Sequence, residues 1–213
     1  MKITVKTDFR NLKKGDVYDF TNIDKLKTIT VVGKNGCGKS SIFQALRGTK
    51  DDIKNDSLYK NDFKKLKDNI EVEHSYDKIF FLDSVKDNGF DLNNAYDASS
   101  YVNSGGFQTK KKSHGESSLI YLSLFLDKVK KEIVENKTLI VFDEFDKGFS
   151  LELQAKVRDI ISNISEKYNV HIITISHNPI LIYKSYIVYD MEKREMVSSS
   201  KYLMDKIGMI FLT

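Results

Sequence analysis

The chain has 213 residues, 40% hydrophobic and 30% charged, which suits one globular domain with a single sizeable core and leaves too little for two. No apolar run approaches the roughly 20 residues of a membrane-spanning helix, no signal-peptide pattern precedes the first strand, and the lone Cys37 excludes an intrachain disulfide, so a cytoplasmic protein is expected. With 34 Lys and Arg against 30 Asp and Glu, the net charge of +4 permits a nucleic-acid partner without pointing to one.

Met1 to Thr7 alternates, with Ile3 and Val5 on one side, and predicts a half-exposed strand. A polar connection, Asp8 to Asp16, leads into a second short strand at Val17–Thr21, giving a small antiparallel sheet. Tyr18 and Phe20 are read as core or sheet-face aromatics in preference to base-stacking groups.

The apolar β-branched run Ile29-Thr30-Val31-Val32 predicts a buried parallel strand. It enters Gly33-Lys34-Asn35-Gly36-Cys37-Gly38-Lys39-Ser40, a match to G-x-x-x-x-G-K-S/T, followed by Ser41 and the helical periodicity of Ile42, Phe43, Ala45 and Leu46, with Gly48 as the C′ residue. Strand, glycine loop and helix in that order make a P-loop. Backbone N–H groups can wrap a polyphosphate only where the chain comes very close, which glycines at 33, 36 and 38 allow. The helix N-terminus faces the same anion, Lys39 supplies a mobile cation for the β- and γ-phosphates, and Ser40 offers a hydroxyl to Mg²⁺. Cys37 reads as a small residue tolerated in the loop. ATP and Mg²⁺ are the expected ligands.

Tyr59, Phe63, Leu66 and Ile70 share a helical stripe, so Ser57 to Asn69 is predicted as an amphipathic surface helix. Ile79 to Asp83 is a buried strand candidate. Ser84 to Lys112 is polar and rich in Asn, Asp, Ser and Gly, a length expected of a loop only where it carries function or moves. Ser113-His114-Gly115-Glu116 opens a strong helix with Leu119, Leu122, Leu126, Val129 and Ile133 inside. Its S-x-x-E pattern is a capping box, and the same exposed helix start suits a second anion site.

Thr138 to Asp143 is a buried strand that ends in Asp143-Glu144. Ser150 caps a helix with Leu153, Val157, Ile160, Ile164 and Tyr168 on its inner stripe. Val170 to Ile175 is a third buried strand, ending at Ser176-His177-Asn178-Pro179. A hairpin over Tyr186–Asp190 and Glu195–Val197 and a helix from about Ser200 to Ile207 close the chain. Alternating strands and helices imply a mainly parallel α/β sheet, whose ligands sit at the carboxyl ends of its strands. The P-loop, Asp143-Glu144 and His177 all fall at such ends. Asp143 then takes the Walker B role of holding Mg²⁺, Glu144 polarises the attacking water, and His177 senses the γ-phosphate.

These motifs resemble the ATP-binding cassette (ABC) ATPases in their soluble RecF/SMC-like branch. GKNGCGKS is similar to its Walker A, TLIVFDE to its Walker B and ISHNP to its H-loop, and DFRNL, followed by a strand and the P-loop, is also similar to that branch. Ser113, His114, Gly115 and Glu116 resemble the family signature, led by Lys112 where transporters usually carry leucine, with His114 in place of a glycine. The resemblance implies a P-loop NTPase fold over residues 1–213, with a small N-terminal antiparallel β subdomain and an insert at about 50–112. It also implies an ATP-dependent head-to-tail homodimer, in which Ser113 and Gly115 of one copy meet the γ-phosphate bound by the other and Asp146, in the D-loop, lies across the interface. Gln44 and Gln108 do not suit a Q-loop, and Asp83 or Ser84 takes its place only weakly. The expected activity is ATP hydrolysis acting on a DNA or protein partner. The alternatives are the nucleotide-binding subunit of an ABC membrane transporter, or an ATP-gated DNA clamp using Lys110 to Lys112. The short, polar Lys50–Lys112 stretch disfavours a membrane permease as partner.

Overall fold

A computed structural model describes residues 1–47, 69–83, 122–123, 125–127, 129–130, 133–146 and 149–211. Among the described residues, nine strands form two sheets. A six-stranded sheet has the order β5-β6-β7-β3-β8-β9, where β3 is Thr28–Val32, β5 Lys78–Asp83, β6 Thr138–Asp143, β7 Val170–Ile175, β8 Ile187–Asp190 and β9 Glu195–Ser198. Its first five members run parallel and β9 returns antiparallel to β8. A three-stranded antiparallel sheet has the order β2-β1-β4, with β1 at Lys2–Val5, β2 at Val17–Asp19 and β4 at Ile70–Glu73. Described helices are α1 (Ile23–Leu26), α2 (Lys39–Arg47), α3 (Leu151–Lys167), α4 (Pro179–Lys184) and α5 (Ser199–Phe211), together with helical residues between 122 and 130.

The parallel strands are apolar on both faces because both faces are covered. Leu139 and Val141 of β6, with Ile173 and Ile175 of β7 and Ile29 and Val31 of β3, pack against Ile3 and Val5 of the small sheet, Phe20 just after β2, and Ile42 and Phe43 of α2. The alternate residues Ile140, Phe142, Val170 and Ile172 meet Leu122, Val129, Ile133, Val157 and Ile161 on the opposite side. Tyr18 and Phe20 are core residues, as expected, and the Phe20 ring lies 4.4 Å from that of Tyr189.

Three elements differ from expectation. β4 completes the antiparallel sheet from beyond the P-loop helix, so that sheet is not purely N-terminal, and Ile70 belongs to a strand in place of a helical stripe. Asn178-Pro179 starts a helix: Asn178 Oδ1 accepts from the Ile180 N–H at 2.9 Å, with proline at the first helical position. In α3 the expected stripe holds at Val157, with Leu153, Ile164 and Tyr168 packed partly buried against the same core, but Gln154, Ile161 and Ser165 are buried as well and Ile160 is exposed. Residues 57–68 of the helix expected over 57–69, Gly48, the 84–112 loop and Ser113, His114, Gly115 and Glu116 lie outside the described residues, as does the Asp83 side chain.

Candidate functional site

Strand register brings the motifs together. Ile175 of β7 pairs with Val31 on one side and Asp143 on the other, so the ends of β3 and β6 flank the end of β7 at one carboxyl edge, about 10 Å apart across two strand spacings. The P-loop leaves β3, Asp143 and Glu144 leave β6, and His177 leaves β7.

The loop backbone is shaped for close approach. Gly33, Gly36 and Gly38 have φ of 148°, 79° and 99°, where an L side chain is strained. Lys39 is buried, and its ammonium donates to the carbonyl oxygens of Gly33 and Lys34, each at 2.9 Å, holding the loop in a ring around its own cation. Asn35 lies exposed at the loop tip, and Cys37 Sγ sits 3.9 Å from the Lys39 ammonium. Ser40 Oγ donates to Asp143 Oδ1 at 3.1 Å.

Across this rim, His177 Nε2 lies 3.7 Å from Glu144 Oε1, and both side chains are partly exposed. Glu144 has φ of 48°, in the left-handed region that non-glycine residues avoid, and its N–H donates to the Ile175 carbonyl at 3.0 Å. Left-handed residues held by surrounding bonds cluster at functional sites. Asp146, which the resemblance puts in the D-loop, is buried in this chain, and its Oδ2 accepts from Ser176 Oγ at 2.9 Å. Burial raises the Asp146 carboxyl above its usual range, against the lowering effects of the Ser176 and Asn178 side chains.

Sequence patterning gave no weight to the braces beneath the loop. The connection after β1 reaches it three times: Arg10 Nη1 donates to Ser41 Oγ at 3.0 Å, Asn11 Nδ2 donates to the Gly36 carbonyl, and Leu12 packs against Gly38. From the β8–β9 turn, Met191 N–H donates to the Val32 carbonyl at 3.0 Å, and Glu192 pairs with Lys34 at 3.2 Å and Lys206 at 2.9 Å. The only signal for the first brace was the resemblance of DFRNL.

Hard oxygen donors from Ser40 and Asp143, converging beside a phosphate loop, suit Mg²⁺. No helix among the described residues is long and apolar enough to cross a membrane.

The family model described as ABC transporter matches residues 20–169, which include the P-loop and the Asp143-Glu144 strand end. A protein of Clostridium tetani (strain Massachusetts / E88), named as an ABC transporter ATP-binding protein, is 24% identical over 208 residues, covering 86% of this chain and 47% of the relative. The chain thus spans about half the length of that relative. A solved structure described as an inward-facing conformation of a metal-chelate type ABC transporter is 20% identical, with a TM-score of 0.47, covering 82% of this chain and 73% of that one.

Proposed function

The chain belongs to the ABC transporter family, and from that premise we propose that it is the nucleotide-binding subunit of an ABC transporter, binding ATP with Mg²⁺ and hydrolysing it. The fold is that of a P-loop NTPase. The family match and the name of the Clostridium relative favour this over the RecF/SMC-like ATPase with a DNA or protein partner that the motifs suggested. A membrane permease, disfavoured by the composition of residues 50–112, becomes the expected partner, with the subunit on the cytoplasmic side.

One observation carries the catalytic reading: residues 103 apart in sequence, Ser40 and Asp143, share a hydrogen bond of 3.1 Å, with Glu144 next along the chain and His177 across from it. The glycine loop and the α2 N-terminus receive the triphosphate. The Lys39 ammonium then exchanges the Gly33 and Lys34 carbonyls for β- and γ-phosphate oxygens. Ser40 and Asp143 would hold Mg²⁺, which when bound neutralises charge on the β- and γ-phosphates. Glu144 takes a proton from the water whose oxygen attacks the γ-phosphorus, the bond to the bridging oxygen breaks, and ADP and phosphate leave. His177 steadies the γ-phosphate and the Glu144 carboxylate.

Phosphate release from ATP by the parent and by Glu144→Gln tests this. Turnover is expected from the parent and strong slowing in the variant; equal rates would remove Glu144 from its role.

A further inference from the structure

Two short segments meet beside the Glu144–His177 pair, and they are joined at two points. Glu144 N–H donates to the Ile175 carbonyl at 3.0 Å, and Ser176 Oγ donates to Asp146 Oδ2 at 2.9 Å. The serine hydroxyl is fully engaged in a fixed sense: its oxygen accepts from the Asn178 N–H at 2.9 Å, so its single proton goes to Asp146. Asn178 in turn caps α4 through the Ile180 N–H. Both neighbours of His177 are therefore fixed by one chain of bonds that begins at a buried carboxyl. Asp146 is 7% exposed and Ser176 0%, while 41% of the His177 side chain is exposed, so packing holds the ring only in part and its backbone placement matters.

We propose that Asp146 is a positioning residue for hydrolysis: through Ser176 it fixes the chain on both sides of His177, so that the ring stands opposite Glu144 before nucleotide arrives. This rests on the ATPase reading above. Asp146 touches no reacting atom. Without its acceptor the Ser176 hydroxyl is free to rotate, the Asn178 N–H loses an oriented partner, and the exit of β7 loses its register against the 144–146 turn. A buried carboxyl that costs desolvation is maintained here because its acceptor oxygen aligns a hydroxyl that no apolar residue could align.

The test is a double-mutant cycle read in kcat and KM for ATP, on Asp146→Ala, Asp146→Asn and Ser176→Ala in the parent and in the His177→Ala background. Asp146→Ala is expected to lower kcat tenfold or more with KM changed less than threefold. Asp146→Asn keeps an acceptor oxygen for Ser176 and should restore most of that loss. In the His177→Ala background Asp146→Ala should cost less than twofold further. Equal losses in both backgrounds, or a raised KM with kcat unchanged, would overturn the assignment. Ser176→Ala cuts the same link from the other side and replaces Asp146→Ala should the latter fail to fold. A parent that releases no phosphate would refute the ATPase reading alone. A crystal structure of the variant then decides the positioning role: a His177 Nε2–Glu144 Oε1 separation wider than 3.7 Å supports it, and an unchanged one overturns it.

Discussion

Ser40 Oγ and Asp143 Oδ1 stand 3.1 Å apart at the carboxyl edge of the parallel sheet, one leaving β3 through the glycine loop and the other ending β6. A hydroxyl donating to a carboxylate across that edge leaves both oxygens pointed at the place where a cation would neutralise phosphate charge. Asp143→Ala should therefore leave nucleotide affinity without Mg²⁺ nearly unchanged and abolish the gain that Mg²⁺ gives the parent. Titration of a fluorescent ATP analogue with Mg²⁺ and with EDTA measures both. A variant that still gains affinity from Mg²⁺ would take the metal role from Asp143.

The loop depends on a contact with a residue far from any motif. Gly38 has φ of 99°, and a Cβ there would run into the Leu12 side chain, itself fully buried. Gly38→Ala should cost about 2 kcal/mol or more, from the left-handed backbone and the overpacking together. In a Leu12→Ala background, which loses stability of its own, the added cost of Gly38→Ala should shrink because the overlap is gone. Urea unfolding midpoints of the four proteins give the comparison.

The strands were legible where burial was two-sided. Val31 and Val32, Ile140 to Phe142 and Ile172 to Ile175 are apolar runs too short for helices, and the edge they share follows from parallel topology. The helical faces were less legible. Ile160 and Ile161 are adjacent, and only packing against Phe142 and Ile172 selects Ile161. Ile70 fitted a stripe with Leu66 and Phe63, which hid the alternation of Ile70-Glu71-Val72-Glu73 that makes β4. Lys39, Asp143 and Glu144 could be placed because each follows an apolar strand. Arg10 and Asn11 could not, since their contacts depend on a polar connection folding under the loop, and polar connections carry no periodicity to read.

At the opposite end of β7 lies a buried histidine, His171, whose surroundings disfavour its protonation. His171 Nδ1 is 3.0 Å from the Tyr76 hydroxyl and 3.7 Å from Asp24 Oδ1, with the Lys137 ammonium on Asp24 at 3.2 Å. Burial lowers its pKa, Asp24 opposes this, and Lys137 and Lys27 add to the lowering. The unfolded chain therefore binds the proton first as pH falls below the ordinary histidine value of 6.5, and the native state loses stability on that side. The contribution is intact above 6.5, declines as pH falls from there to the depressed native value, and its slope stays within about 1.4 kcal/mol per pH unit. Urea midpoints between pH 8 and pH 5 should fall for the parent and fall less for His171→Gln. Parallel curves would assign the acid sensitivity to other groups.

Glu144 and His177 are both partly exposed on the rim. In the proposed mechanism the γ-phosphate lies at this rim, and a second surface would shield it from bulk solvent while leaving the one attacking water beside Glu144. Glu144→Gln should retain ATP binding while losing roughly 10²–10⁴-fold in turnover, the usual contribution of a general base. It should therefore trap whatever assembly ATP favours. Size-exclusion chromatography with ATP and Mg²⁺ is expected to show a dimer that ADP does not support. Adding Ser113→Ala and Gly115→Ala, in the stretch that resembles the family signature, should return that dimer to monomer if the second surface is another copy of the chain. A dimer insensitive to those changes would instead assign the interface to residues outside the signature, and a monomer under every condition would leave a different subunit to cover the nucleotide.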